Sequence, residues 1–317
     1  MLVCGKSPGQ YGNIVVRTEY ADVQLIRWNR LFMNISFLKH AGMGITRGII
    51  GLYIQKMTNI PGTGMGTVIF SDVHADSVAI GALAACIKSP LFCEMVGPVD
   101  VLVNLGDLLH RGDRPKETLE KAHTLSQEYR LVSILGNHDH AYLHGLLVSG
   151  SDAASTYRHE QLRDSPLLSL FDTMPMEWVD RGMLYVHGGP LELGTQTLRL
   201  KCWQRLSYQS GDFFTGFHYT AAMAFEALEK RGLTHMCCGH QHENVCCRKT
   251  TDGIVQQNLE FRPLENRNAL EGPGLEIATV PLDVPTLLRV GGCHGRMPEF
   301  AYTDYSSFSF IRINSRS

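Results

Sequence analysis

The side chains able to do chemistry in this 317-residue chain fall at the ends of short apolar runs. Asp72-Val-His74 follows Thr67 to Phe70, and Asp107 follows Val101 to Leu105 and Gly106. Asn137-His138-Asp139 follows Leu131 to Leu135 and Gly136, His187 follows Met183 to Val186, and His240-Gln-His242 follows Thr234 to Cys238 and Gly239. Runs of this kind, bounded by Gly and Asp, read as buried strands that stop abruptly. Their carboxyl ends are where open α/β sheets place sites. Asp and His two residues apart converge on one point only if the chain bends between them, which a strand-to-loop transition provides. One such pair arises often by chance; five strand ends carrying such groups do not. Counting donors gives one ion Asp72, His74, Asp107 and His242, and a second ion Asp107, Asn137, His187 and His240, with Asp107 shared. Mixed carboxylate, amide and imidazole donors suit iron, manganese or zinc rather than calcium or a closed thiolate site. Two such ions about 3.5 to 4 Å apart are the machinery of phosphoryl hydrolysis.

The elements that must position these groups alternate. A helix is expected to start near Ser77 and run to Lys88, where Pro90 stops it; another opens at Arg114-Pro115. A third spans Thr220 to Lys230 and closes at Gly232, the place for a left-handed cap. Strand, site, helix, repeated, argues a layered α/β fold. Ala141 to Trp178 reads as helix and loop over the site. The aromatic, alternating tail from Leu287, with Phe300, Tyr302, Tyr305, Phe308 and Phe310, reads as antiparallel strands of a second sheet.

Composition narrows the class. With 44% hydrophobic and 19% charged residues the chain can bury a full core. A net charge of -2 gives no general attraction to nucleic acid or an anionic membrane, so any phosphate must be held locally. No apolar stretch approaches the roughly 20 residues of a spanning helix, and no signal-peptide pattern opens the sequence. Nine Cys, two pairs of them adjacent (Cys237-Cys238, Cys246-Cys247), do not make a disulfide framework; buried free thiols in a reducing cytoplasm are expected. For residues 1 to 66 three readings stay open: a packed extension, an amphipathic surface or partner-binding segment, and translated sequence with no structural role. A loosely packed or disordered extension is the expectation, with the catalytic domain at 67 to 317.

Asp-x-His, Gly-Asp, Gly-Asn-His-Asp, a later His and Gly-His-x-His, in that order, resemble the calcineurin-like metallophosphoesterase superfamily over roughly Thr67 to Arg312. Gly-Asp107-Leu-Leu-His110-Arg111-Gly is similar to the Gly-Asp-x-Val-Asp-Arg-Gly motif of the serine/threonine phosphoprotein phosphatases and of their bacterial relatives that cleave diadenosine tetraphosphate. His187-Gly-Gly, Cys202-Trp203-Gln204-Arg205 and the passage Phe225 to His240 match that branch. The resemblance implies a four-layer α/β/β/α sandwich with two mixed β-sheets. It also implies hydrolysis of a phosphomonoester, phosphoprotein foremost, by in-line attack of a hydroxide held by two metal ions (Mn2+, Fe2+/Fe3+ or Zn2+). Arg111 and Arg205 would bind the phosphate and His138 would protonate the leaving oxygen. The branch's second aspartate is His110 here, so Asp139 or Asp113 is the candidate carboxylate for His138. The usual Ser-Ala-Pro-Asn-Tyr stretch is replaced by Val290-Gly-Gly-Cys293-His294-Gly. Phosphodiester or dinucleoside polyphosphate hydrolysis is the alternative within enzymes, and an inactive metal-binding scaffold the alternative outside them. The expected partner is a phosphorylated protein or small molecule, with no specific nucleic acid.

Overall fold

The apolar runs that lead into Asp72, Asp107, His187 and His240 are largely buried, which is why they lack polar alternation, while the one before Asn137 is half-buried at a sheet edge. In the computed structural model, which describes residues 17–18, 21–22, 66–146, 148, 150, 152–194, 201–264 and 274–314, the runs are β1 (Gly66–Phe70), β2 (Val99–Asn104) and β3 (Arg130–Ser133). After β4 (Glu177–Asp180) come β5 (Met183–Val186), the short β6 (Arg205–Leu206), β7 (Gly211–Phe213) and β8 (Gly216–Tyr219), and β9 (His235–Cys238). The remaining strands are β10 (Val245–Thr250), β11 (Gly253–Gln257), β12 (Arg262–Pro263), β13 (Gly274–Pro281), β14 (Thr286–Arg289), β15 (Glu299–Thr303) and β16 (Ser307–Asn314).

They form a seven-stranded sheet, order β12-β13-β16-β15-β1-β2-β3, and a six-stranded sheet, order β11-β10-β14-β9-β5-β4. Both are mixed. β1, β2 and β3 run parallel, as do β5, β9 and β14, while the outer strands pair antiparallel. Parallel neighbours bring successive carboxyl ends to one edge, so the strands bearing the candidate ligands finish side by side.

The side-chain period of two sorts the core into layers. Ile69, Val101 and Val103 meet Met183, Tyr185, Cys237, Leu288 and Phe310 between the sheets. Val68, Phe70 and Leu102 face the other way, onto Ile80 and Leu83 of α1 (Ser77–Ile87), Phe92 of α2 (Pro90–Met95) and Leu119 of α3 (Pro115–Glu128). Leu184, Val186, Met236 and Leu287 pack outward on Phe225 and Leu228. The latter two lie on a helix spanning Ala221–Lys230. The result is helix, sheet, sheet, helix. The adjacent thiols obey the same rule: Cys237 and Cys246 lie between the sheets, Cys238 and Cys247 on the outer face, and no disulfide joins the described cysteines.

Some boundaries differ from expectation. Asp76, not Ser77, caps α1, its Oδ1 accepting from the Val78 and Ala79 amides at 3.0 and 2.9 Å. The stretch over the site resolves into α4 (Asn137–Leu143), α5 (Ala153–Glu160) and a 3-10 helix at Pro166–Thr173, which makes the helix at Ala221–Lys230 α6. The β10–β11 hairpin is an addition; its turn carries Asp252-Gly253, the local signal that would have revealed it. So is the small β6-β8-β7 sheet. Residues 1–62 form a unit separate from 63–317. In that unit Arg17–Thr18 pairs with Ala21–Asp22, and the rest of the extension expected over the first 66 residues lies, up to residue 65, outside the described residues. Among the described residues no helix is long and apolar enough to cross a membrane.

Candidate metal centre and phosphate pocket

Tight left-handed turns fold the strand ends back on themselves. Of the ten non-glycine residues with positive φ among the described residues, eight lie in three of these loops: Asp72, His74, Ala75, Asp107, His110, Arg111, His240 and His242. Such backbone costs of order 1 kcal/mol or more per residue and persists only where the surroundings enforce it. Here they do. The amides of Asp72, His74 and Ala75 donate to the carbonyls of Gly106, Asp107 and Leu108, each at 2.9 Å, so the first two loops are laced together. Gly239 donates to the His187 carbonyl at 3.0 Å. Gly136 lets the third loop close in, since a Cβ there would stand 2.1 Å from Asp107 Oδ1.

The loops deliver the expected side chains to one place, in two adjoining sets. In the first, His242 Nε2 lies 3.1 Å from both Asp72 Oδ1 and His74 Nε2. In the second, His187 Nε2 lies 2.9 Å from Asn137 Oδ1, 3.2 Å from His240 Nδ1 and 3.4 Å from Asp107 Oδ2. Asp107 also groups with His74 and His138 within 4.8 Å, so it stands between the sets. Neighbours fix which atom of each side chain faces inward. His187 Nδ1 meets the Leu105 carbonyl at 2.9 Å, leaving Nε2 for the site. Asp72 Oδ2 is taken by Ser71 Oγ and the His240 amide, at 2.6 and 2.9 Å, leaving Oδ1.

The residues fit a pair of cations on their own chemistry. Asp72 and Asp107 are buried like charges, and Asp72 Oδ1 faces imidazole nitrogens, His242 Nε2 at 3.1 Å and His74 Nε2 at 3.8 Å, rather than a backbone amide. Burial alone would raise the Asp72 carboxyl, yet His242 beside it and the charge of His187 hold it well below the usual range. Asp107 behaves alike, burial being outweighed by His187. His187, which burial would lower, is instead pushed up to about 9 by Asp107. Burial drives His74 down to about 3 and His240 well below its ordinary value. A buried set that holds carboxylates ionised and most imidazoles neutral is one that accepts metal.

A cavity of about 260 Å³ opens over these groups, lined by Asp107, Arg111, Asn137, His138, Trp203, Arg205, His240, Gln241 and His242. Arg111 reaches across it, Nη1 at 3.2 Å from His74 Nε2 and Nη2 at 3.1 Å from His138 Nε2. Arg205 is braced by its Nε donating to the Thr215 carbonyl at 2.8 Å. Gln241 ties the strand of Arg205 to the His240 loop, exchanging hydrogen bonds with the Leu206 backbone at 2.7 and 3.1 Å. A larger cavity of about 560 Å³, bordered by Tyr208, Gln257 and Phe261, contains none of the expected site side chains.

The carboxylate expected to support His138 is not there. Asp139 faces the backbone: Oδ2 accepts from the Asp107 and Gly136 amides at 2.7 and 3.2 Å, and Oδ1 from Leu108 and Leu109 at 3.0 and 3.3 Å. It braces the Gly106–Leu109 loop, and burial with the charge of Asp107 pushes it up to about 7. Asp113 is exposed and lies 3.9 Å from Arg114. His138 Nδ1 and His110 Nδ1 are both buried without a partner, the two rings edge to face at 5.8 Å. His110 is held from behind: its amide donates to His159 Nε2 at 2.8 Å, while His159 Nδ1 meets the Ser155 carbonyl at 2.7 Å. His159 and His294, whose Nε2 lies 3.0 Å from His242 Nδ1, carried no signal in the sequence beyond being histidine.

The calcineurin-like phosphoesterase family model matches residues 65–244, and the chain belongs to that family. It is therefore a hydrolase of phosphate esters, of a family that depends on two metal ions. Among solved structures it is similar to a metallophosphoesterase from Sphaerobacter thermophilus (TM-score 0.51, 22% identity, 80% of this chain and 89% of that one). A serine/threonine phosphatase from Saccharomyces cerevisiae also superposes (TM-score 0.52, 12% identity, 90% and 97% covered), as does the hypothetical protein PH1004 from Pyrococcus horikoshii OT3 (0.52, 14%, 80% and 89%). At these identities the likeness is one of fold. No curated protein matches the sequence.

Proposed function

We propose that the protein hydrolyses a phosphomonoester, phosphoprotein being the favoured substrate, with Asp72, His74, Asp107 and His242 holding one metal ion and Asp107, Asn137, His187 and His240 the other. The observation that carries the choice of monoester is the cavity that gathers two guanidinium residues, Arg111 and Arg205, beside the ligand cluster. A terminal phosphate carries two charges and three free oxygens, enough to engage both, and guanidinium is the side chain best matched to such oxygens. When bound, iron, manganese or zinc supplies Lewis acidity and a water of lowered pKa. The chain's own side chains do the rest. Arg111 and Arg205 clamp the phosphate and offset the charge that builds in transit. His138, whose Nε2 meets Arg111 Nη2 at 3.1 Å, serves as the general acid toward the leaving oxygen. Asp139 acts indirectly, by fixing the loop that presents Asp107. The free, buried thiols suit a reducing, cytoplasmic setting.

Diester or dinucleoside polyphosphate hydrolysis is the second reading, favoured by the paired His240 and His242. Turnover of p-nitrophenyl phosphate against its bis ester separates the two: faster monoester turnover is expected, and diester-only turnover overturns the choice. A metal-holding scaffold without activity is tested with Asp107→Asn and His138→Ala. Both are expected to abolish metal-dependent hydrolysis; hydrolysis retained in both removes these residues from the site.

A further inference from the structure

β14 runs parallel to β9, and its carboxyl end opens on the same edge as the ligand-bearing strands. The loop that follows, Gly291 to Gly295, is tied to both neighbouring ligand loops. Cys293 donates to the Ser71 carbonyl at 2.8 Å, next to Asp72, and Gly295 donates at 2.9 Å to the second carboxylate oxygen of Asp76. Gly291 donates to Asn244 Oδ1 at 2.8 Å, two residues past His242. Held this way, the loop sets His294 Nε2 at 3.0 Å from His242 Nδ1, with the rings 4.9 Å apart. Gly292 makes room for the ring, since a Cβ there would lie 2.6 Å from His294 Cδ2 and Nε2.

Resting on the ligand set proposed above, we infer that His294 is a positioning residue for His242: it accepts the Nδ1 proton and so holds the Nε2 lone pair toward Asp72 and His74. An imidazole that coordinates through Nε2 must carry its proton on Nδ1, and a buried acceptor there fixes both the tautomer and the ring angle. His294 must then be protonated on Nδ1, leaving its own Nε2 as the acceptor. The contact occupies the stretch Val290-Gly-Gly-Cys293-His294-Gly, to which the hydrolytic reading gave no task.

The full chain, stripped of metal and titrated with Mn2+ alone, tests this by calorimetry and by the paramagnetic resonance of the bound ions. The wild type is expected to bind two ions. His294→Ala is expected to weaken one of them by roughly 10- to 100-fold, the usual effect of losing such a partner, and to leave the other unchanged. His294→Gln, whose carbonyl can stand where Nε2 stood, should stay within about threefold of wild type. If His294→Ala does not fold, His294→Asn, too short to reach His242, replaces it. Equal affinities in wild type and the short variant overturn the inference, as does a Gln variant no better than Ala. A wild type that binds no Mn2+ would instead remove the two-ion reading on which the inference stands.

Discussion

Metal uptake by this site should climb with pH, to an extent set by one imidazole. His187 is buried, its Nδ1 held by the Leu105 carbonyl and its Nε2 3.4 Å from Asp107 Oδ2. Burial alone would lower its pKa, but Asp107, by charge and hydrogen bond, raises it to about 9. Without metal, His187 is therefore an imidazolium at neutral pH, protonated on the nitrogen proposed to bind an ion. A ligand imidazole must be neutral, so an incoming ion has to expel that proton. At pH 7 this lies about two units below the pKa, a cost of about 3 kcal/mol, or roughly a hundredfold in affinity. His74, driven to about 3, and His240, Asp72 and Asp107, all held low, have already shed their protons in this window. The sign follows: apparent affinity for Mn2+ should rise by about tenfold per pH unit from roughly 6.5 to 9 and then level. Chelator competition across that range measures it, and calorimetry in buffers of different ionisation enthalpy should count at least about one proton released at pH 7.5. An affinity that stops rising near pH 6.5, where an ordinary histidine finishes, would refute the coupling of His187 to Asp107.

Two substitutions bear on the acid side of the site. Asp139→Ala leaves four buried backbone amides without their acceptor and should cost at least about 2 kcal/mol of stability in urea unfolding; an unchanged midpoint with a selective loss of kcat would make Asp139 the partner of His138 after all. His110→Asp places a carboxylate beside His138, which burial now holds down at about 4. That carboxylate favours the imidazolium, so kcat at pH 7 should rise on alkyl phosphates by about tenfold, with little change on p-nitrophenyl phosphate, whose leaving group needs no proton. A fall on both substrates would show that His110 is needed as it is.

Much of this was written in residue types. Thr67 to Phe70 and Val101 to Leu105 read as buried strands because they are short and mostly apolar, and Asp107 after the second, like Asn137 after Leu131 to Leu135, reads as a candidate donor because a buried carboxylate or amide must be satisfied. The helix caps were less legible: Ser77 and Asp76 are both competent, and only the backbone geometry selects Asp76. Arg205 read as a short motif because its strand is two residues long and is paired in a sheet that no periodicity announces.

Sequence alone thus determined the layered α/β order and picked out the candidate donors that the fold gathers, since both follow from local pattern and from the chemistry of single side chains. Which carboxylate serves which role was decided only in three dimensions. Asp139 sits beside His138 in the chain, yet as a helix neighbour it projects elsewhere and is captured by three amides of another loop and by the Gly136 amide at the start of its own helix. His294 is 52 residues from His242, and nothing between them in the chain encodes the contact. It exists because β9 and β14 are parallel neighbours whose ends finish together, a relation that sheet order sets and a one-dimensional pattern cannot carry.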